Sequence, residues 1–198
     1  HTDLMRVLAS QPAIRIVTAQ KSANEIEVFY RDEKAVVKRQ LNKGRKTYCY
    51  IPQDGDPLNY QQHDPTAKLT DGNFHSAEKS LSASCDTSFP DFVPQIVEMY
   101  DSHRAGQIVF FAQKGWDFSE TDLGGHGSVL EQDMIVPFVV AGPNITHNNI
   151  KKARLVHIVP TILDIMNLSE KLQHCGPIDG KSILPKLKAI KRTQPLTE

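Results

Sequence analysis

The residues with the clearest chemical potential lie in Gly124-Gly125-His126-Gly127-Ser128, followed closely by Asp133. Glycines on both sides leave the histidine backbone free to adopt unusual dihedrals and keep neighbouring side chains out of the way. Neutral imidazole is a common zinc ligand and is usually oriented by a hydrogen-bond acceptor behind it. His126 is therefore the candidate metal ligand; the alternative is a surface histidine among turn glycines. Lys114 and Trp116 lie upstream and could line a substrate cleft, although Trp116 could equally pack under the loop. Asp117 and Asp122 could accept from a metal-bound imidazole, or could simply be solvent-facing loop carboxylates. His63, His103, His147 and His174 sit in polar contexts and read as surface residues.

These residues need a frame. Gln107-Ile108-Val109-Phe110-Phe111-Ala112 is a short continuous apolar run, which predicts a buried strand of a parallel sheet just before the glycine-rich loop. Strand ends of this kind are where α/β folds commonly place ligand sites. Val136-Pro137-Phe138-Val139-Val140-Ala141-Gly142-Pro143 predicts a second buried strand, with Pro137 at its start or on an edge. Helices are predicted over Pro90–His103, with Asp91 near its start, and over Val156–Met166, with Pro160 in its first turn.

The first part of the chain has another character. Between Ala13 and Tyr50, β-branched and aromatic runs alternate with polar residues and are separated by Lys21-Ser22-Ala23-Asn24, Arg31-Asp32-Glu33-Lys34 and Asn42-Lys43-Gly44. This pattern predicts an antiparallel meander with one wet face. From Asp54 to Ser88 the pattern weakens, and loop and irregular structure are expected. The division is thus residues 1–88 as a β-containing region and residues 89–198 as an α/β part.

Composition narrows the classes. Apolar residues make up 39% and charged residues 23% of 198 residues, which is ordinary globular usage and excludes a disordered chain. Lys+Arg and Asp+Glu balance at 23 each, so bulk charge favours neither nucleic acid nor a membrane surface. No apolar run is long enough to span a bilayer. Cys49, Cys85 and Cys175 form no Cys-x-x-Cys pair, which excludes zinc-finger and thioredoxin-type motifs; unpaired thiols are the expected state.

The ordered set Gly125-His126-Gly127-Ser128, Asp133-Met134, Val136-Pro137-Phe138 and Ala141-Gly142-Pro143 resembles the final metal-ligand motif of the alkaline phosphatase superfamily. The branch it looks most like is the type I phosphodiesterase/nucleotide pyrophosphatase proteins. Val156–Met166 is similar to that family's helix after its last strand, and Asp179-Gly180-Lys181-Ser182-Ile183-Leu184-Pro185 is similar to its C-terminal tail. The likeness covers about Phe89 to Pro185.

The resemblance implies a mostly parallel α/β sandwich carrying the meander as a small antiparallel cap. It implies hydrolysis of a phosphate or sulfate ester with two divalent metal ions, usually zinc, and a Ser or Thr nucleophile; the balanced charge favours a small phosphoester over a polymeric nucleic acid. His126 matches a histidine that holds one of the two metals. The family's nucleophile, its preceding Asp ligand and its Asp-His ligand pair have no counterpart in the 198 residues. Asp71 and His75 have an Asp-x-x-x-His spacing found in one family metal site, but they lie in the insertion region and read as coincidence. His157, at the start of the family helix, reads as a packing or capping residue.

The expectation is that residues upstream of His1 carry the nucleophile and the other ligands, so that this chain alone is inactive. A sulfatase or phosphomutase of the same superfamily, or a non-catalytic binding module on this fold, are the alternatives.

Overall fold

The computed structural model describes residues 3–119, 121, 127–143, 145–146, 148–170 and 178–187. The chain forms two compact units, His1–Val136 and Pro137–Glu198.

The first unit is built on a six-stranded antiparallel sheet of order β5-β4-β3-β2-β1-β6. The meander supplies β1 (Ile14–Ser22), β2 (Glu25–Tyr30), β3 (Glu33–Asn42) and β4 (Arg45–Asp54). Strands β3 and β4 are joined by Lys43 and Gly44 alone, both at positive φ (48° and 76°). Two consecutive left-handed residues make the hairpin turn whose twist matches the flanking strands.

Alternation sorts the two faces. Ile16, Ile26, Val28, Val37, Tyr48 and Tyr50 point into one core. Against them lies α4 (Phe92–Met99), which contributes Phe92, Val93, Ile96 and Val97. Tyr100, at the end of α4, donates its phenolic proton to the Thr18 carbonyl (3.0 Å) and lies 2.8 Å from the Thr18 hydroxyl, which in turn donates to Val109 O (3.1 Å). Burial raises the Tyr100 pKa, so the phenol remains a donor across the physiological range.

The other sheet face is wet in the sense expected, with Glu27 paired to Lys34 at 2.8 Å and Glu25 to Lys21 and Lys38. It is not wholly wet, because α1 (Leu4–Ala9) packs over Ile14, Val17 and Phe29. The side chain of Asp3 caps α1 by accepting from Met5 N (3.0 Å).

The stretch expected to be loop holds more order than its pattern suggests. It contains a single 3-10 turn at Tyr60–Gln62, α2 (Asp64–Ala67), β5 (His75–Ser76) and α3 (Ala77–Ser84). Leu58, Tyr60 and Leu69 are its anchors in the main core. Single apolar residues set in polar sequence give no periodicity, so this stretch was not readable as structured.

Two strand expectations are corrected. Strand β6 (Ile108–Ala112) forms as expected, but it pairs antiparallel with β1 at the sheet edge and is only partly buried, with Phe110 41% exposed. A continuous apolar run fits any strand with mixed surroundings and does not encode its partner. The run Val136–Pro143 forms no strand among the described residues, and Val139 is 85% exposed. A strand exists only with a neighbour to satisfy its backbone, and no neighbour pairs with this run among the described residues.

In the second unit, Phe138 and Val140 pack instead with Ile183, Leu184 and Leu187, the latter two belonging to α7 (Leu184–Leu187). Helix α6 (Ile158–Ile165) follows a 3-10 turn at Leu155–His157, with Pro160 in its first turn as expected. The Asp179–Pro185 tail is fastened to it. Lys181 N donates to His157 Nδ1 (3.2 Å), Ile183 N to Thr161 Oγ1 (3.0 Å), and Ser182 Oγ to Asp164 Oδ2 (2.6 Å). Gly180 passes so close that a Cβ would sit 1.8 Å from the Val156 carbonyl oxygen.

Candidate functional site

Strand β6 runs out at Ala112 into a tight turn. Gln113 N donates to Ala13 O (2.8 Å), Trp116 N donates back to Gln113 O (3.0 Å), and Gly115 takes φ +85° between them. The chain then makes a local turn in which Asp117 Oδ1 accepts from Ser119 N (3.0 Å). Farther on, Ser128 Oγ accepts from Leu130 N (3.2 Å), and α5 (Glu131–Met134) is tied down by Glu131 N donating to Ser88 O (3.1 Å).

These two segments and the end of β6 wall a cleft of ≈ 290 Å³. Lys114, Trp116 and Asp117 line it from one side, and Ser128, Gln132 and Asp133 from the other. Trp116 is 56% exposed. Phe110 and Phe118, also in the wall, pack edge-to-face on one another with ring centres 5.1 Å apart.

The polar bookkeeping of the wall is incomplete. The Gln113 side-chain oxygen is buried and accepts no hydrogen bond, and Nη1 of Arg15 is buried and donates none. The β1–β6 register slips between Ile14 and Ile16, so Arg15 is the extra residue of a bulge opposite the cleft-lining Phe111 and Ala112. Its guanidinium lies 3.8 Å from the ring centre of Tyr30 and 4.6 Å from that of Phe89. Burial lowers its pKa, without bringing it near neutrality for a guanidinium.

Lys114 and Trp116, expected to line a cleft, do line this one, together with Asp117, Ser128 and Asp133. His126, Gly124, Gly125 and Asp122 lie outside the described residues, as do His147, His174 and Cys175. Gly127 takes φ +103°, a conformation that only glycine adopts readily. Gln113 and Gln132 escaped sequence reasoning, because a single amide just past a strand or in a one-turn helix carries no periodic or charge signal. His63 and His103 are exposed, as expected. His157 accepts from the tail backbone, which agrees with its reading as a packing residue.

A second polar array lies across the sheet. His75 Nε2 is 2.8 Å from Asp71 Oδ1, and Lys79 Nζ is 2.8 Å from His75 Nδ1. The tautomer with its proton on Nε2 satisfies both contacts, donating to Asp71 and accepting from the Lys79 ammonium. Hydrogen bonds from Asn73, then from His75, hold the Asp71 carboxyl well below the usual carboxylate range. The Asp-x-x-x-His spacing is thus a structural contact that ties the turn before β5 to that strand, and Lys79 joins His75 to α3.

Cys49 is buried and carries a free thiol, and Cys85 is partly buried. Among the described residues, no three His, Cys, Asp or Glu side chains gather in a way that could hold a metal ion. Among them, too, no helix is long and apolar enough to cross a membrane. Comparison with protein-family models, with curated proteins and with solved structures finds no match.

Proposed function

We propose that this protein forms part of a metal-dependent hydrolase of small phosphate esters, with His126 as a ligand to one of two divalent metal ions, zinc by the resemblance. One observation carries the reading: residues on both sides of His126 in sequence, Asp117 before it and Ser128 and Asp133 after it, line the same cleft as Lys114 and Trp116. Lys114 offers a positive charge to an ester anion, and Trp116 offers it an apolar wall. The balanced charge of the chain suits a small ester better than a polynucleotide.

The described residues do not by themselves form a metal-binding set. In this reading the nucleophile and the remaining ligands come from polypeptide outside the 198 residues, and no chemical step is assigned to the residues present. Two metals, when bound, would polarise the ester and activate the nucleophile.

The test is the metal content of the longest natural polypeptide that contains this segment, beside its His126→Ala variant, together with hydrolysis of bis(4-nitrophenyl) phosphate. About two ions per chain, fewer in the variant, and loss of most hydrolysis support the reading. No bound metal in either protein after zinc is supplied refutes it and leaves a binding module on this fold.

A further inference from the structure

Helix α6 is inverted for a surface helix. Such a helix ordinarily buries an apolar stripe and shows its polar residues to water. In α6 the polar stripe is the one in use. His157, Thr161 and Asp164, at spacings of four and three, receive the tail through Lys181 N, Ile183 N and Ser182 Oγ. The apolar stripe lies on the opposite side of the helix. Leu155, Val159, Ile162 and Met166, at spacings of four, three and four, are 48–60% exposed, and Val156 and Ile165 widen the row.

Single apolar residues at a surface are ordinary, but a contiguous row of large ones marks a contact. The sequence limits what could make it. Residues 171–177 and 188–198 hold only Leu172, Ile190 and Leu196 as large aliphatic side chains, too few to cover the row. Residues 137–198 carry nine Lys and Arg against four Asp and Glu, so a second copy docked on the same face would set like charge against like. A helix lying in a membrane surface carries cations on its polar side and aromatic residues on the other. Here the polar side is hydrogen-bonded to the tail, and the row holds no Trp, Tyr or Phe. Four of its six side chains are β-branched, and none is a bulky anchor of the kind that fills a pocket. Such a flat aliphatic ridge packs on the face of a β-sheet.

We infer that the stripe of Leu155, Val159, Ile162 and Met166 is an internal packing face, which docks on the apolar face of a β-sheet supplied by polypeptide of the same protein outside the 198 residues. The net positive charge of residues 137–198 fits a sheet rimmed by carboxylates. The inference rests on the hydrolase reading in one respect: the docking polypeptide is taken to be the part that brings the nucleophile and the remaining metal ligands.

The test is Ile162→Lys, with Ile162→Val as its conservative control, made in the 198-residue chain and in the longest natural polypeptide that contains it. In the 198-residue chain the new ammonium meets water, and the melting temperature should stay within about 2 °C of wild type, as for a surface substitution. In the longer polypeptide the same charge is buried without a partner, and the melting temperature should fall by at least about 6 °C. Ile162→Val should lower it by less than half as much. A longer polypeptide whose melting ignores Ile162→Lys overturns the inference. A fall of similar size in the 198-residue chain also overturns it, since the stripe would then be covered from within. So does a 198-residue chain that is dimeric by light scattering and becomes monomeric on Ile162→Lys.

Dye binding gives a second reading that needs no folded variant. Anilinonaphthalene sulfonate, which lights up on exposed apolar surface, should emit at least about twofold more with the 198-residue chain than with the longer polypeptide at equal concentration. Equal or greater emission from the longer polypeptide contradicts the docking. A longer polypeptide that covers the stripe but neither holds metal nor turns over ester sinks the hydrolase reading alone. Two bound metals and ester hydrolysis in a polypeptide indifferent to Ile162→Lys sink this inference alone.

Discussion

Replacing Tyr100 by Phe tests how the helix layer is held on the sheet that carries the cleft. Tyr100 is 6% exposed and Thr18 0%, so the phenol, the hydroxyl and the Thr18 carbonyl meet without water. The phenol has one proton to give and two acceptors on Thr18, at 2.8 and 3.0 Å. The Thr18 hydroxyl keeps its own acceptor, Val109 O, when the phenol is removed. Deletion therefore costs about one net hydrogen bond and strands no donor, which places it near 1–1.5 kcal/mol and below the roughly 3 kcal/mol of a fully orphaned group. Phe keeps the ring packed, so no cavity term is added.

Urea unfolding followed by far-ultraviolet circular dichroism, with Trp116 emission as a second probe, measures the change. A thermal shift of about 3–6 °C corresponds to it for a unit of this size. Thr18→Val removes the shared contact from the other side, and the double-mutant cycle should give a coupling of about 0.5–1.5 kcal/mol. A Tyr100→Phe protein within about 0.3 kcal/mol of wild type, well under one net hydrogen bond, would refute the view that this polar contact helps to fix α4 to β1.

Two further outcomes follow from the geometry. Asp71 has a folded-state pKa below its unfolded value of about 3.9, so its ionised form stabilises the fold above that value and the contribution is lost as pH falls through the lower, folded-state value. Asp71→Asn should therefore melt below wild type at neutral pH, with the two curves converging in acid; a gap that persists unchanged to low pH would contradict the assignment. Gly180→Ala places a methyl group 1.8 Å from the Val156 carbonyl oxygen, so the backbone must move. The expected loss is about 1–3 kcal/mol, confined to the second unit and visible as faster amide exchange at Lys181 and Ile183; unchanged exchange there would show that the tail is not held as described.

Much of the fold was legible because local chemistry and burial agree. The meander strands show their alternation in sequence, as in Glu25-Ile26-Glu27-Val28, and the Lys43-Gly44 turn is a recognisable hairpin signal. Helices α4 and α6 were legible from apolar spacing and, for α6, from Pro160 in its first turn. Partner choice was not legible. The apolar run of β6 suits a buried parallel strand as well as an antiparallel edge, and Val136–Pro143 is strand-like in composition without a paired neighbour among the described residues.

Of the candidate site, the cleft-lining places of Lys114 and Trp116 were legible from their position just past β6, while His126 lies outside the described residues. What the sequence could not disclose was the burial of the Gln113 oxygen and the bulge at Arg15, since both arise from the pairing of β1 with β6.

That pairing also bears on the order in which the molecule assembles. The hairpins β1–β2, β2–β3 and β3–β4 join neighbours in the chain, whereas Thr18 and Val109, which meet across β1 and β6, are 91 positions apart. Closing so long a loop carries an entropic cost that short hairpins avoid, and contacts of this range are made late. The cleft therefore belongs to the last zipper of the sheet to close. A weakened β1–β6 seam would abolish the cleft while the meander remained intact, so the architecture separates persistence of the scaffold from persistence of the pocket.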